Sequence, residues 1–550
     1  MLSQPTASAT QSKFSVDIRQ FPWIRRLASD YVFDYGGLRD FFAGNPVDPL
    51  AWTEVIARTQ QHARERDRLV HLLRAQQARR GTPAESIAAA HLLADARTVA
   101  VVTGQQAGLF GGPLYTLLKA ITALKLARDL RETHHVPAVA IFWVEAEDHD
   151  WAEVQNCSVL DAELAPRTVG LPDLPGANER PIARMQLDES GMSAIADLEA
   201  ALQTTEFTSD LLTSLRASYT PGSGMAEAFG RWLEAVLGPH GLVVYDGSDP
   251  AAKPLVADLF AREVEQAGQT TRLAIEAGQR LQQAGYHAQV MPVDGSVALF
   301  HMNEGRHAIQ RDGDGFRVGD TQMAAGELVA RIRQSPERFS PNVLLRPLVQ
   351  DTIFPTACYV AGPNELAYLA QLRSVYSAFG IPMPLIYQRA TATIVDSNAM
   401  RFLTRNAVAL ESLRAQDESA LNQLLQAQLP PSVDEAVQDA ARSIDDRLTT
   451  VAHEVQQIDP TLEGAARSTL TRMQDDLRKL HAKIIQAAKR KDETLKRQFR
   501  HAQAQAFPGG QPQEREIGFV YFLNKYGPAL AERLADDLPI DMGQPWVLTI

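Results

Sequence analysis

Residues 99–119 read VAVVTGQQAGLFGGPLYTLLK, and the rest of the chain is best read outward from them. Val99–Thr103 is a run of β-formers that predicts a buried strand, and a glycine-rich turn follows it. Apolar residues then recur at Leu114, Leu117, Ile121 and Leu124, a helical spacing that predicts a helix over Leu114–Leu130, opened by Pro113. Gly104, Gly108, Gly111 and Gly112 would let the backbone approach a ligand and take positive φ. The helix start would present free N–H groups and a positive dipole end to an anion. On this reading Thr103, Gly104, Gln105, Gln106, Gly108, Gly112, Pro113, Tyr115 and Lys119 are candidate nucleotide- or substrate-binding residues. The same turn reads equally well as a structural βα connection. No Gly-Lys-Ser/Thr follows, so it is not a Walker loop, and the glycine spacing is not the dinucleotide fingerprint.

A second apolar run, Val136–Val144, completes a strand–helix–strand unit, which predicts a parallel sheet with ligands beyond the carboxyl ends of its strands. The glycine turn and the segment FWVEAEDHDW, residues 142–151, both fall at that edge. Glu145, Glu147, Asp148 and Asp150 crowd around His149 directly after an apolar strand. Such crowding is costly beside a core unless the groups bind a cation, share protons or pair with bases. Glu147, Asp148, His149 and Asp150 are therefore candidate catalytic residues, with His149 the proton carrier. The competing reading is a solvated acidic loop. The spacing fits no metal in particular, so no residue is assigned to one, although Mg²⁺ remains compatible with the cluster.

A chain of 550 residues that is 45% hydrophobic can bury large cores in several domains. A net charge of −12 argues against a general nucleic-acid binder. Two cysteines, Cys157 and Cys358, rule out a disulfide framework or a multi-cysteine zinc site and suit a reducing compartment. The start, MLSQPTASATQSKFSVD, lacks a charged segment followed by an apolar one, and no apolar run is long enough to span a membrane. The expectation is a soluble cytoplasmic protein.

Residues 1–95 read as a helical cap, with Trp52–Arg80 its most helical part. Core segments are expected at 96–154, 221–250 and 339–399. Between them, 155–220 reads as a proline-rich insertion of irregular structure or short strands. A second insertion, 251–338, should hold a long helix (Pro254–Ala284) and strands near Gln289–Val293 and Val297–Met302, with a hairpin at Asp312–Gly315. In the last core segment the reading places a strand at Val343–Leu345 and another at Cys358–Val360, then a helix with Glu365 in its first turn. Arg346 is an expected anion clamp or one half of a structural ion pair, with Gln350, Asp351, Gly362, Glu365 and Arg389 beside it in the candidate site. Cys358 lies in an apolar strand and reads as an inert thiol.

Residues 400–505 change character. Ile444, Leu448, Val451, Val455 and Ile458 step by four and three, and the pattern resumes beyond Asp459-Pro460 at Ala466, Leu470, Met473, Leu477, Leu480 and Ile484. This is a heptad seam on either side of a turn, an antiparallel helical hairpin or coiled coil. Arg478, Lys479, Lys483, Lys489, Arg490, Lys491, Lys496, Arg497 and Arg500 make its second helix basic, which reads as a solvated face or as a tRNA-binding arm. Residues 506–550, with an apolar helix over Gly518–Leu534, should dock back on the core.

Four blocks together, TGQQAGLFGGPLYTLLKA, FWVEAEDHDWAEV, SPNVLLRPLVQDTIFPTACYVAGPNELAY and PQER, resemble the cysteine-adding enzymes of bacillithiol biosynthesis, in the same order and from about Ser15 onward. The resemblance implies a Rossmann-like α/β core similar to class I synthetases and nucleotidyltransferases, with two connective insertions, a C-terminal α-helical coiled coil and a homodimer. It implies a ligase that joins the carboxyl of cysteine to the amine of glucosaminyl-malate. ATP would activate the carboxyl as an acyl-adenylate or an acyl-phosphate, so ATP or ADP is the expected nucleotide, with Mg²⁺ compatible beside it. The chain has neither a His-x-Gly-His signature nor a Lys-Met-Ser-Lys-Ser loop. Under this resemblance the Gly104–Gly112 turn would face phosphate or carboxylate, Arg346 and Arg389 would clamp an anion such as malate, and Glu147, Asp148 or His149 would hold the attacking amine. An RNA-binding protein descended from a synthetase-like core and a non-catalytic pathway scaffold are the alternatives.

Overall fold

The computed structural model describes residues 12–293, 295–303, 305–427, 431–491 and 493–550. The opening residues 1–11, read above for a leader, lie outside them. The chain forms two units, the larger holding 13–393 and 513–548 and the smaller built on 394–512.

The larger unit is centred on a five-stranded parallel sheet: β1 (Val99–Gln106), β2 (Ala138–Glu145), β3 (Val243–Asp246), β4 (Thr356–Ala361) and β5 (Leu385–Gln388). The spatial order is β3-β2-β1-β4-β5. The main crossover helices are α1 (Leu114–Thr133) and α2 (Met225–Leu237), and α3 (Arg346–Ile353) leads into β4, with α4 (Glu365–Leu369) following it. Both faces of β1 are buried, which is why Val99–Val102 is continuously apolar. The order runs outward from β1 through β2 to β3, then restarts on its other side with β4. That reversal opens a crevice beyond the carboxyl ends of β1 and β4. This is the Rossmann-like arrangement expected from the strand–helix–strand unit.

Several local expectations change. β1 runs three residues further than expected, so Gly104 lies within it rather than in a turn. A Cβ there would stand 2.8 Å from the Trp143 carbonyl oxygen, so packing against β2 explains the glycine. Val343–Leu345 is not a strand. The Asn342 side chain accepts the Leu344 N–H (2.9 Å), turning the chain so that α3 begins at Arg346 with Pro347 in its first turn. The first insertion carries a hairpin, Asn156–Leu160 with Pro166–Gly170, and two helices, Ser190–Ala201 and Thr208–Ser218. Its prolines end at Pro181, and the helices lie beyond them.

The second insertion has two helices, Ala257–Glu265 and Gln269–Gln283, in place of one long helix; Gly268 at φ +83° parts them. Its sheet is antiparallel and five-stranded, and Gln289–Val293 is not part of it. The Asp312–Gly315 hairpin is present, turning at Gly313. The N-terminal segment is helical, and Trp52–Arg80 divides into Pro49–Gln61 and Arg66–Arg80. The C-terminal apolar segment likewise divides, at Gly527, into Phe519–Tyr526 and Leu530–Asp537, and the last strand, Trp546–Leu548, pairs with Lys13–Ser15.

The smaller unit contains the expected hairpin, Pro431–Glu454 and Leu462–Lys491, turning at Asp459-Pro460. Asp396 caps the helix Ser397–Arg405 and meets His501 on the helix Glu493–Ala506 at 2.7 Å, which staples the two. Of the basic residues on the second arm, Arg478 and Lys479 pair with Asp475 and Asp476 one turn away, and Lys496 sits 3.8 Å from Glu493. Exposed pairs of this kind contribute little to stability. The side chains of Lys489, Arg490 and Lys491 lie outside the described residues.

Candidate active site

The crevice at the switch between β1 and β4 gathers charged side chains from five segments. At its centre is Lys119, carried on α1 and only 4% exposed. Its ammonium donates to the Gly104 carbonyl (2.8 Å) and Gln105 Oε1 (3.1 Å), and meets Glu365 Oε2 at 2.5 Å. Glu365 also accepts the Gly362 N–H (2.6 Å) and the Tyr359 hydroxyl (2.9 Å). Burial pushes the Lys119 ammonium below its usual pKa, against the pull of Glu365. Burial raises the carboxyl of Glu365, and Lys119 outweighs it, leaving Glu365 below the ordinary value. The two groups are paired with each other and with the surrounding donors and acceptors. Burying such a pair is tolerable only with this many hydrogen bonds.

Arg346 lies across the crevice, at the start of α3. It donates to Gln350 Oε1 (3.1 Å) and stands over the rings of Trp143 and Tyr359 at 5.8 and 5.6 Å. Burial opposes its charge, but Tyr359, Tyr368, Glu145 and Glu365 outweigh that and hold its pKa above the ordinary value. Glu145, the last residue of β2, faces it with Oε2 4.0 Å from Arg346 Nε, too far for a hydrogen bond. Glu145 Oε2 is buried and has no hydrogen-bond partner. Burial lifts the pKa of this carboxyl above its ordinary value, Arg346 notwithstanding. Gln350 passes the network on to Asp351 (2.9 Å), which is buried against the Tyr376 hydroxyl (2.5 Å). Asp351 thus supports Arg346 through Gln350 and is removed from the crevice itself.

The acidic motif after β2 resolves into pairs. Glu147 meets Lys253 at 2.5 Å, and Lys253 is 4% exposed. Asp148 meets Arg306 at 3.0 Å. Asp150 caps the short helix Trp151–Val154 by accepting the Glu153 N–H. The bases that neutralise Glu147 and Asp148 come from the second insertion. His149 is half exposed, and its Nδ1 lies 3.2 Å from Asp148. Of the four carboxylates that crowd this motif, Glu145 alone is left without a hydrogen bond on a buried oxygen.

The glycine turn serves a different purpose from the one its composition suggests. Gly111 and Gly112 do take positive φ, but the turn is buried beneath the C-terminal segment. Leu114 N–H, the first donor of α1, is taken by the Ile517 carbonyl (2.8 Å), and Phe519 N–H by the Gly112 carbonyl (3.1 Å). A Cβ on Gly111 would sit 2.2 Å from the Phe519 ring, and one on Gly108 would sit 3.0 Å from Gly112 Cα. The first donor of α1 is therefore occupied by the chain itself, and Gly112 and Pro113 pair with the docked segment at Phe519 and Gly518 while Gly108 packs against Gly112. Thr103 is likewise internal, donating to the Val360 carbonyl (3.0 Å) between β1 and β4.

Arg389 is not a free clamp either. It forms a two-pronged pair with Glu514 (2.7 and 2.8 Å), at 4% and 10% exposure. Tyr115 lies under its guanidinium, and Gln105 donates to the Tyr115 hydroxyl at 3.3 Å. Gln106 reaches Glu153 at 2.9 Å. Cys358 and Cys157 are buried, with burial pushing the Cys157 thiol up to about 12 and Cys358 higher still, so both are inert.

Sequence reasoning missed Lys253, Arg306, Tyr359 and Tyr368, and the role of Glu514. Tyr359, Tyr368 and Glu514 lie inside motifs quoted above and could have been nominated there. Lys253 and Arg306 lie in the second insertion, far along the chain from the acids they meet, and nothing local marks them.

Comparison with known proteins agrees with this architecture. Residues 15–390 match the family model described as "Bacillithiol biosynthesis BshC, N-terminal Rossmann-like domain", and residues 392–550 match its C-terminal coiled-coil domain. A Salinibacter ruber protein named "Putative cysteine ligase BshC" is 33% identical over 547 residues, 98% of each chain. Proteins of the same name from Koribacter versatilis and Chlorobaculum tepidum are 33% identical over 95% of this chain and 97% of the relative, and 32% identical over 80% of each. With both family models matched end to end across the crevice and the helical hairpin, the chain belongs to the bacillithiol-biosynthesis BshC family.

Proposed function

We propose that the chain is a cysteine ligase that forms an amide between the carboxyl of cysteine and the amine of glucosaminyl-malate, the last step of bacillithiol biosynthesis. The observation that carries this reading is the crevice itself. At the strand-order switch of a chain in this family, Arg346 can hold a carboxylate while the orphaned oxygen of Glu145 can accept from an amine. A carboxylate is a poor electrophile, so amide formation requires its activation, and Mg·ATP is the proposed activator. Developing negative charge on the acyl oxygen is stabilised by fixed cations, and Arg346 supplies one.

The glycine turn does not fit a phosphate, since its first helix donor is taken. Among the described residues, no three side chains of metal-ligand type converge. In this reading Mg²⁺ arrives with the nucleotide. Among the described residues, no helix is long and apolar enough to cross a membrane. The hairpin leaves Val451, Ile458, Met473 and Leu480 of its seam 43–81% exposed, and a second copy of the chain is the proposed partner for them.

The test is a mass-spectrometric assay of the full chain with cysteine, glucosaminyl-malate and Mg·ATP. Bacillithiol should form only with nucleotide present, and release of ADP or AMP would name the activated intermediate. Intact substrates after incubation would count against the ligase.

A further inference from the structure

The charges at the crevice pair off. Lys119 meets Glu365, Lys253 meets Glu147 and Arg306 meets Asp148, each with an oxygen–nitrogen distance of 3.0 Å or less. Glu145 and Arg346 are the exception among these couples. They face each other at 4.0 Å, and Glu145 Oε2 is buried with nothing to accept from. A buried carboxylate oxygen left without a donor is costly, so its persistence points to a partner that is not part of the chain.

Resting on the ligase reading for the identity of the amino acid, we propose that Glu145 and Arg346 form a subsite for an α-amino-acid zwitterion, its ammonium on Glu145 and its carboxylate on Arg346. An α-amino acid carries both charges on one carbon, which suits two opposite protein charges separated by a short gap. An amino sugar linked to malate holds its amine and carboxylates on different parts of the molecule. The four couples, Lys119–Glu365, Lys253–Glu147, Arg306–Asp148 and Arg346–Glu145, each balance one positive with one negative group. A zwitterion adds no net charge to these couples.

The aromatic surroundings agree. Trp143 and Tyr359 flank Arg346, and Tyr368 stands beside it, so the guanidinium plane is held by rings and by Gln350. No ring or side chain fixes the outer end of Glu145, whose carboxyl is met by the Glu147 backbone N–H, and its side chain is 24% exposed. Rotation about its terminal torsion, which is soft, exchanges the covered and the open oxygen. The carboxylate can therefore meet an incoming ammonium without moving the backbone of β2.

The experiment is calorimetric titration of the full chain, under reducing conditions, with L-cysteine, 3-mercaptopropionate, which lacks the amine, and cysteamine, which lacks the carboxyl. The wild type should bind cysteine more than about tenfold tighter than either analogue, the worth of one charged hydrogen bond. Glu145→Gln, close to isosteric, should bring cysteine down to the level of 3-mercaptopropionate and leave that analogue unchanged. Arg346→Met should bring cysteine down to the level of cysteamine. Circular dichroism checks that the variants are folded, and the wild-type analogue series stands without them.

Absence of saturable cysteine binding by the wild type overturns the subsite. So does equal weakening of cysteine and 3-mercaptopropionate by Glu145→Gln, or weakening of glucosaminyl-malate in place of cysteine, which would give the ammonium to the amino sugar. The ligase reading is scored separately. Product formed without discrimination among these ligands sinks the subsite and keeps the ligase, whereas discrimination without product does the reverse.

Discussion

Arg389 shows how a single side chain changes meaning between sequence and structure. An arginine at the end of a core strand reads as an anion clamp, and it does clamp a carboxylate, but that carboxylate is Glu514 of the same chain. No local pattern announces a partner 125 residues away. Glu147 and Asp148 behave in the same way, neutralised by Lys253 and Arg306. The sequence correctly located a dense set of charges at the sheet edge; it could not say which of them were already paired. Glu145, at the strand's last position, is the one whose pairing is incomplete.

Another buried acid gives a residue-scale prediction. Glu263 accepts the Thr270 hydroxyl (2.5 Å) and the Ala298 N–H (2.8 Å) inside the second insertion. Burial raises its pKa from 4.5 to about 7 despite those bonds. Between these values the folded state binds more protons than the unfolded state. The contribution of this group is therefore full below about pH 4.5 and is lost as pH rises toward 7. Urea unfolding of wild type and Glu263→Gln across this range should show the wild type losing roughly 2–3 kcal/mol relative to the variant, with no further change above. A difference independent of pH would refute the assignment.

At the scale of elements, the strands of the parallel sheet were legible from their buried apolar runs, and the polar residues that end β1, β2, β3 and β5 were not. The seam of the helical hairpin was legible for the same reason of periodicity. Long helices were overextended wherever a single glycine, Gly268 or Gly527, turned the chain at positive φ. The glycine turn after β1 was legible as a turn but not as a docking surface, since Ile517–Phe519 covers it from the far end of the sequence. Gly111 is the tight point of that contact. Gly111→Ala combines φ +95° with a Cβ 2.2 Å from the Phe519 ring, and should destabilise the larger unit by several kcal/mol. Hydrogen exchange should then show Leu114 N–H losing its protection. Unchanged protection with unchanged stability would mean that the segment does not depend on this turn.

At the scale of the whole molecule, two family models divide the chain near residue 391, and the larger unit takes back residues 513–548. That return could be foreseen only as a docked tail, because the residues that fix it, Glu514 and Phe519, meet Arg389 after β5 and the Gly111-Gly112 turn after β1. The exposed seam carries the molecule-scale prediction. Met473→Glu with Leu480→Glu places two charges on a face that stays open within one chain. Light scattering should report a dimer for the wild type and a monomer for the double variant, with circular dichroism unchanged. A monomeric wild type would remove the seam as an interface.

The crevice at the β1–β4 switch is proposed to join cysteine to an amine. The most direct test follows carboxyl-labelled cysteine into an amide by mass spectrometry, with glucosaminyl-malate and Mg·ATP, for wild type and Arg346→Met. Labelled bacillithiol should form with the wild type and at least a hundredfold more slowly with the folded variant, the scale of losing a charged group that stabilises the reacting oxygen. Equal rates for the two proteins, or no labelled amide from the wild type, would contradict it.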